Sequence, residues 1–260
     1  MAEERRFSTI ELMASVASHL LENGKTVAVG TGLPLIAASL AKATHAPELV
    51  IFFEAGGVDP QIPTLPVSVG DSRTVYKALV SSSLADVMET MSRGFVDYAF
   101  LGGAQIDMYG NLNSTFIGED YTKPKVRLPG SGGANDFGSL CWETIYLMGK
   151  HTKRKFVKKC DFITTPGWLS GPGAREEAGL PAGTGPSKVI TDLGVLGFDE
   201  ETKRMKLLAV HPGVSVEQVQ ANTAFELLIA DEVKVTTPPT QEELSLLREK
   251  IDPKGYILKR

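Results

Sequence analysis

The sequence predicts an α/β fold, an open and mainly parallel sheet flanked by helices. Three observations point there. Short runs rich in β-branched and aromatic residues alternate with segments of helical periodicity, the pattern of strands returned by crossover helices. The run "ELVIFF" lacks apolar/polar alternation, as expected of a strand covered on both faces. Strands also run straight into glycine turns, as in "KTVAVGTG" and "VDYAFLGG".

In "STIELMASVASHLLENG", Ile10, Met13, Val16, Ala17, Leu20 and Leu21 share one face at helical spacing. Ser8 and Glu11 fit a capping box, and Asn23-Gly24 stops the helix. "KTVAVG" is the first strand. Pro34 falls near the first turn of the helix "LPLIAASLAKAT", where its missing N–H does no harm. "ELVIFF" is the second strand, "SLADVMETMSRG" an amphipathic helix and "VDYAFLGG" a further strand. Tyr109-Gly110-Asn111 has turn chemistry. "RLPGSGGANDFGS" is a glycine loop opening a short helix, and "ETIYLMG" is another strand. "CDFITTP", "KVITDLGVLGFD" and "RMKLLAVHP" are expected as strands joined by hairpin-type turns. Ser215/Gln218 and Thr240/Glu243 are each spaced as a capping box, the second opening a helix that ends before Pro253. No heptads, low-complexity segment or linker divides the 260 residues, so one domain over 1–260 is expected.

Composition excludes several functions. A net charge of −4 supplies no basic face for nucleic acid. The apolar runs fall far short of the ~18 residues that span a membrane. "MAEERRF" has no apolar h-region, so no signal peptide is expected. Cys141 and Cys160 make no CxxC and are too few for a disulfide framework, which fits a cytoplasmic protein. The histidines at 19, 45, 151 and 211 show no HExxH or Cys/His spacing, and no metal site is expected. Ser131 does not fit a nucleophile elbow, because Pro129 stands where that motif needs glycine. "GTGLPL" begins like a dinucleotide fingerprint, but Leu35 replaces the third glycine.

Ligands of α/β sheets collect beyond the carboxyl ends of the strands. Three glycine segments follow strands here: Gly30-Thr31-Gly32, Gly102-Gly103 and Gly130 to Gly133. In "GSGGAND", three glycines in four residues let consecutive N–H groups face one point, which suits a phosphate or a developing oxyanion. Glu54 ends the greasy run of "LVIFFEAGGVD". It can be a cap, a ribose ligand or a nucleophile. A glutamate is ionised at neutral pH and attacks a carbonyl without a general base, given oxyanion donors and a dry site. Gly56-Gly57 beyond it would let a thioester approach closely.

These residues resemble the beta subunits of family I CoA-transferases, the glutaconate enzymes among them. The resemblance runs nearly end to end, through "NGKTVAVGTGLPLIAASLAK", "SVGDSR", "FLGGAQIDMYGNLNSTFIG", "GSGGAN", "TTPGWLSGPGAREEAGLP" and "GPSKVITDLGVLGFDEETKRM". It implies catalysis by Glu54 through a glutamyl-CoA thioester, with an acyl-CoA and a carboxylate as substrates and no permanently bound cofactor. It also implies that the loop Gly130, Ser131, Gly132, Gly133 and Ala134 serves the oxyanion. Further contacts to substrate or CoA are expected at Gly30, Gly32, Gly103, Gln105, Asn113 and Ser114. The partner it implies is an alpha subunit. Other expectations on this scaffold are a CoA-thioester hydrolase or decarboxylase, or a non-catalytic ligand-binding module.

Overall fold

The computed structural model of the chain describes residues 7–259. In chain order its first elements are α1 (Thr9–Ser18), β1 (Thr26–Val29), α2 (Leu33–Ala43), β2 (Val50–Phe53), β3 (Gly57–Val58), β4 (Val80–Ser81) and α3 (Leu84–Ser92). Next come β5 (Tyr98–Leu101), β6 (Gln105–Ile106), β7 (Leu112–Asn113), β8 (Phe116–Ile117), β9 (Val126–Arg127), α4 (Ala134–Leu140) and β10 (Glu143–Met148). The last are α5 (Ala174–Glu177), β11 (Gly185–Thr191), β12 (Gly194–Phe198), β13 (Met205–Val210), α6 (Val216–Ala221), β14 (Leu228–Val235) and α7 (Gln241–Ser245).

Two compact units are present, one formed by residues up to Glu89 with those from Thr237 onward, the other by Thr90–Thr236. The first boundary falls inside α3, which is why no linker marks it in the sequence.

In the first unit the strand order is β1-β2-β3-β4. β1 and β2, joined through α2, are parallel, and β3 and β4 follow antiparallel. α1 packs on α2, and Ala14, Ile36, Leu40, Leu247 and Leu258 form a shared core. Burial on α1 reaches beyond the apolar face read from sequence. Glu11, Ser15 and Ser18 are as buried as Met13 and Ala17. The reason is the chain's C-terminal segment, which lies along this helix. Arg248 donates to Glu11 through Nε at 2.6 Å, and Glu243 Oε1 lies 2.7 Å from His19 and accepts from Ser15 Oγ. The capping boxes at Ser8/Glu11 and Thr240/Glu243 both form. Each carboxylate thus serves a helix cap and a tertiary contact together.

In the second unit the order is β14-β13-β12-β11-β10-β5. β10 is parallel to both β5 and β11, β11 to β13 run antiparallel, and β14 returns parallel to β13. α4 packs on β5, β10 and β11. The core gathers Tyr146, Met148, Phe156, Val189, Leu196 and Leu207. "CDFITTP" forms no strand. It makes only an isolated bridge, Leu112 to Thr165, while Phe162 and Ile163 stay exposed. At Ser215 only half of the expected capping box forms, the Gln218 N–H donating to the serine side chain. Among the described residues no helix is long and apolar enough to cross a membrane.

Candidate active site

The parallel register of β1 and β2 decides the position of Glu54. Thr26 pairs with Val50 and Val29 with Phe53, so Gly30 and Glu54 are each the first residue beyond a matched pair. They stand side by side at the carboxyl edge of the first unit's sheet. Ile51, Phe52 and Phe53 anchor the strand in the core, and Glu54 emerges from it half-buried. The chain reverses at once, with the Gly56 N–H donating to the Phe53 carbonyl at 3.0 Å, and β3 returns beside β2.

Gly56 and Gly57 do not leave room for a ligand on their Cβ side. A β-carbon on Gly56 (φ +114°) would overlap the Ser82 carbonyl, and one on Gly57 would overlap that of Thr74. The chain's own backbone fills that space. Gly30 is the opposite case, since a β-carbon there would meet nothing within 4 Å.

The glycine turn feeds α2, whose N-cap Gly32 (φ +86°) provides no side-chain acceptor and whose first turn holds Pro34. The remaining N–H groups of that turn are orphan donors that favour negative charge. Beside them opens a cleft of about 570 Å³ lined by Thr31, Gly32, Leu65, Arg73, Tyr256 and Ile257, among others. Arg73 is held in place by Asp71, Thr64 and the Leu65 carbonyl. In return, the hydrogen bond from Arg73 holds the Asp71 carboxyl far below the ordinary range. Sequence reasoning missed this lining. Tyr256 and Ile257 come from the far end of the chain, and nothing local marks them as neighbours of Gly32.

In the second unit, Gly103, Gln105, Asn113, Ser114 and the loop Gly130–Ala134 form one connected scaffold. Gln105 and Asn113 face each other across β6 and β7, both buried, with the Asn113 amide donating to Gln105 Oε1 at 2.7 Å. Asn113 also donates to the Phe116 carbonyl and accepts from the Thr115 N–H, while Gln105 accepts from Asp161 N. Their polar atoms hold the unit together. Gly103 admits a close crossing, a β-carbon there lying 3.1 Å from the Asn113 carbonyl. Ser114 is tied to the glycine loop by two bonds: its hydroxyl donates to the Gly130 carbonyl, and its own carbonyl accepts from Gly130 N–H, each at 2.9 Å.

The loop itself offers fewer donors than the sequence implied. Gly130 N–H is taken by Ser114, and Ala134 N–H closes a turn onto the Ser131 carbonyl. Ser131 and Gly132 are exposed, and their N–H groups have no acceptor among the described residues. Two adjacent N–H donors are therefore left without an internal acceptor. Gly130 (φ +101°) and Gly132 (φ +49°) supply the left-handed backbone that turns them.

Two further residues of this unit escaped the sequence reading. Asn111 is a buried hub, donating to Asp107 and to the Leu169 carbonyl while accepting from Gly167 N. Arg175, only 1% exposed, donates to the carbonyls of Pro166, Gly167, Gly138 and Ser139 and to the Thr184 hydroxyl. It is a staple for the "TTPGWLSGPGAREEAG" segment. Among the described residues no group of three or more His, Cys, Asp and Glu side chains is placed to share a metal ion.

The fold places the chain among α/β proteins that gather ligands at the carboxyl edge of a sheet. The chain belongs to the coenzyme A transferase family, whose model matches residues 10–222. It is 43% identical to a glutaconate CoA-transferase subunit of Acidaminococcus fermentans, over 97% of this chain and 96% of that protein. It is 40% identical to a 3-oxoadipate CoA-transferase subunit of Pseudomonas knackmussii, over 93% and 92%. A cholesterol ring-cleaving hydrolase IpdB subunit of Rhodococcus jostii is 31% identical, over 86% and 83%. The crystal structure of the Acidaminococcus fermentans glutaconate coenzyme A-transferase matches with a TM-score of 0.93 at 41% identity, covering 99% of this chain and 100% of that one. The chain is a CoA-transferase polypeptide.

Proposed function

We propose that this chain is the nucleophile-bearing beta subunit of a two-subunit CoA-transferase, with Glu54 carrying CoA between an acyl-CoA and a free carboxylate. The observation that supports this most is the β1/β2 register, which sets Glu54 beside the open glycine turn at the head of α2. Dicarboxylyl-CoA esters of the glutaconyl type are the proposed donors and acetate-like carboxylates the acceptors. The names of the glutaconate and 3-oxoadipate relatives favour that substrate class and a separate alpha subunit as partner.

The Glu54 carboxylate attacks the thioester carbonyl, and the C–S bond breaks to give a mixed anhydride and CoA thiolate. The thiolate then attacks the glutamyl carbonyl, releasing the first acid and leaving Glu54 as a CoA thioester. An incoming carboxylate runs the two steps in reverse, so kinetics are ping-pong. Each addition develops an oxyanion, for which N–H donors without an internal acceptor are suited; one such donor is typically worth ~2.7–4 kcal/mol of barrier. We assign the Ser131 and Gly132 N–H groups to carbonyl or phosphate oxygens of the acyl-CoA. CoA thioester enters as substrate, and no resident cofactor takes part in this scheme.

The test is mass spectrometry of the complex of this chain with its partner after exposure to acyl-CoA. A CoA adduct on the peptide carrying Glu54 is expected. Wild-type transfer by a Glu54→Ala complex overturns Glu54 as the nucleophile, and turnover by water alone with no adduct overturns the reading in favour of a hydrolase.

A further inference from the structure

The β8–β9 hairpin of the second unit carries a feature that catalysis by Glu54 does not use. Phe116, Tyr121 and Phe162 form an aromatic corner, with ring centroids 5.5 Å apart for Phe116–Tyr121 and for Phe116–Phe162. Phe116 is buried and fixes the corner. Tyr121 is 57% exposed and Phe162 39% exposed, so the outer rings face solvent. Arg127 lies over the Tyr121 ring, its Cζ 4.5 Å from the centroid, and its Nη2 donates to the Tyr121 carbonyl at 2.7 Å. The guanidinium is therefore held as a flat, oriented plate with further N–H groups pointing away from that bond.

Charge adds a second observation. Lys123, Lys125 and Arg127 occupy alternate exposed positions, and none has an ion-pair partner among the described residues. The nearby acid Asp120, itself exposed, is engaged with Thr122 and not with these cations, accepting from both the threonine N–H and its hydroxyl. In a chain of net charge −4, three clustered exposed cations without ion-pair partners beside exposed aromatic rings suit an anionic, planar partner. A purine nucleotide has both properties, a π-face for the ring and guanidinium and phosphates for the cations.

Connectivity favours the nucleotide end of the substrate itself. Arg127 lies four residues before Ser131, at most ~14 Å of extended chain. The hairpin runs directly into the loop whose Ser131 and Gly132 N–H groups lack an internal acceptor, and Asp161 ties the hairpin to β6, accepting from Gly118 N–H while its own N–H donates to Gln105. We infer that the β8–β9 hairpin binds the 3′-phospho-ADP end of coenzyme A, the base stacking on Tyr121 and Arg127 and the phosphates meeting Lys123, Lys125 and Arg127. This rests on acyl-CoA being the substrate, and is independent of whether Glu54 forms the adduct.

The experiment uses the complex of this chain with its partner subunit and three thioesters of one acyl group: CoA, 3′-dephospho-CoA and the truncated N-acetylcysteamine ester. The double variant Tyr121→Ala/Arg127→Ala is expected to raise KM for acyl-CoA about tenfold, the loss of one stacked base, with kcat held. Its preference for CoA over 3′-dephospho-CoA should fall at least fivefold, whereas KM for the truncated ester does not rise with it. Lys123→Gln/Lys125→Gln, which leaves the rings in place, should lower the same preference. An unchanged KM, or an equal rise for all three thioesters, overturns the assignment. Failure of the double variant to join its partner subunit would overturn it too, making the corner a protein contact. Absence of a Glu54 adduct in the wild type would count against the nucleophile alone, since the three-thioester comparison reads only the nucleotide end.

Discussion

The backbone carbonyl of Thr74 occupies the space that a β-carbon on Gly57 would need. The same segment pairs onward, for Gly57 faces Ser81 across β3 and β4, and Ser82 N–H donates to the Gly56 carbonyl at 3.0 Å. The turn that carries Glu54 is thus clamped from two sides by residues far along the chain. Gly57→Ala should cost ~1–3 kcal/mol through overpacking against an unyielding backbone. Faster hydrogen exchange over residues 50–58 is the expected signature. Unchanged protection there would show that the clamp yields.

Gly30→Ala tests the opposite situation. The added methyl meets no atom of the protein, so stability should stay within ~0.5 kcal/mol of wild type. It would stand beside the end of the strand that carries Glu54, and under the proposed function the expected loss is in kcat/KM. A variant that keeps both stability and turnover would remove Gly30 from the site.

Glu54→Asp keeps the charge and withdraws the carboxylate by one methylene. A displacement of this size costs about 10²-fold when the reacting atoms must be aligned. Single-turnover mass spectrometry should still detect the CoA adduct, formed about a hundredfold more slowly. An adduct appearing at the wild-type rate would show that the nucleophile's position is not set by the strand end.

Glu11 is buried and Arg248 is its counter-ion. Burial pushes the Glu11 carboxyl up, but the hydrogen bonds from Arg248 and Ser8 outweigh it and hold it below its ordinary value. A depressed acid contributes stability that is present above its unfolded value of ~4.3 and is lost as pH falls through its folded value. Arg248→Ala should destabilise the first unit by about 3 kcal/mol, at the low end for a broken buried pair because the arginine is one-third exposed. It should also blunt the acid limb of the unit's stability profile. Exchange of the α1 amides, measured from pH 3 to 6, reads both effects.

His151 is buried, stacked on Phe156 at 3.6 Å, and bonded through its two nitrogens to Thr191 and Thr223. Burial depresses its imidazole to about 3. Its unfolded value is ~6.5, so the unfolded chain binds the proton first. Stability is then full above pH ~6.5 and declines as pH falls towards 3. Both tryptophans, Trp142 and Trp168, belong to the second unit, so their fluorescence follows this unit alone. A His151→Gln chain should show a shallower decline between pH 6.5 and 4; profiles of equal slope would falsify the assignment.

The strands that end at Gly30 and Glu54, the Gly30-Thr31-Gly32 turn and two capping boxes were legible because each is written locally, in a run of buried side chains or in a fixed short spacing. β14 was not. Asp231-Glu232 sits at its middle, where exposure runs two residues together, and a register shift opposite Leu207/Ala209 breaks the alternation. "CDFITTP" erred the other way, since strand-forming residues there find only one bridge partner and their side chains serve loops. Gly56 and Gly57 were assigned to a ligand because a glycine's reason lies in what stands beside it, which here comes from residues 74 and 82. Arg175 and Asn111 likewise announce nothing in sequence; their acceptors are carbonyls gathered by the fold.

The pairing of Glu11 with Arg248 also sets an order in time. The two residues are 237 positions apart, and at 5–20 residues per second the ribosome makes the carboxylate roughly 10–50 s before its counter-ion. Through that interval α1 has no arginine to bury its acid against, while every residue of the second unit is already made before Arg248 is added. The unit that carries Glu54 begins first and is finished last, so the face of α1 and α2 that Leu247 and Leu258 cover stays open until the C-terminal segment is made.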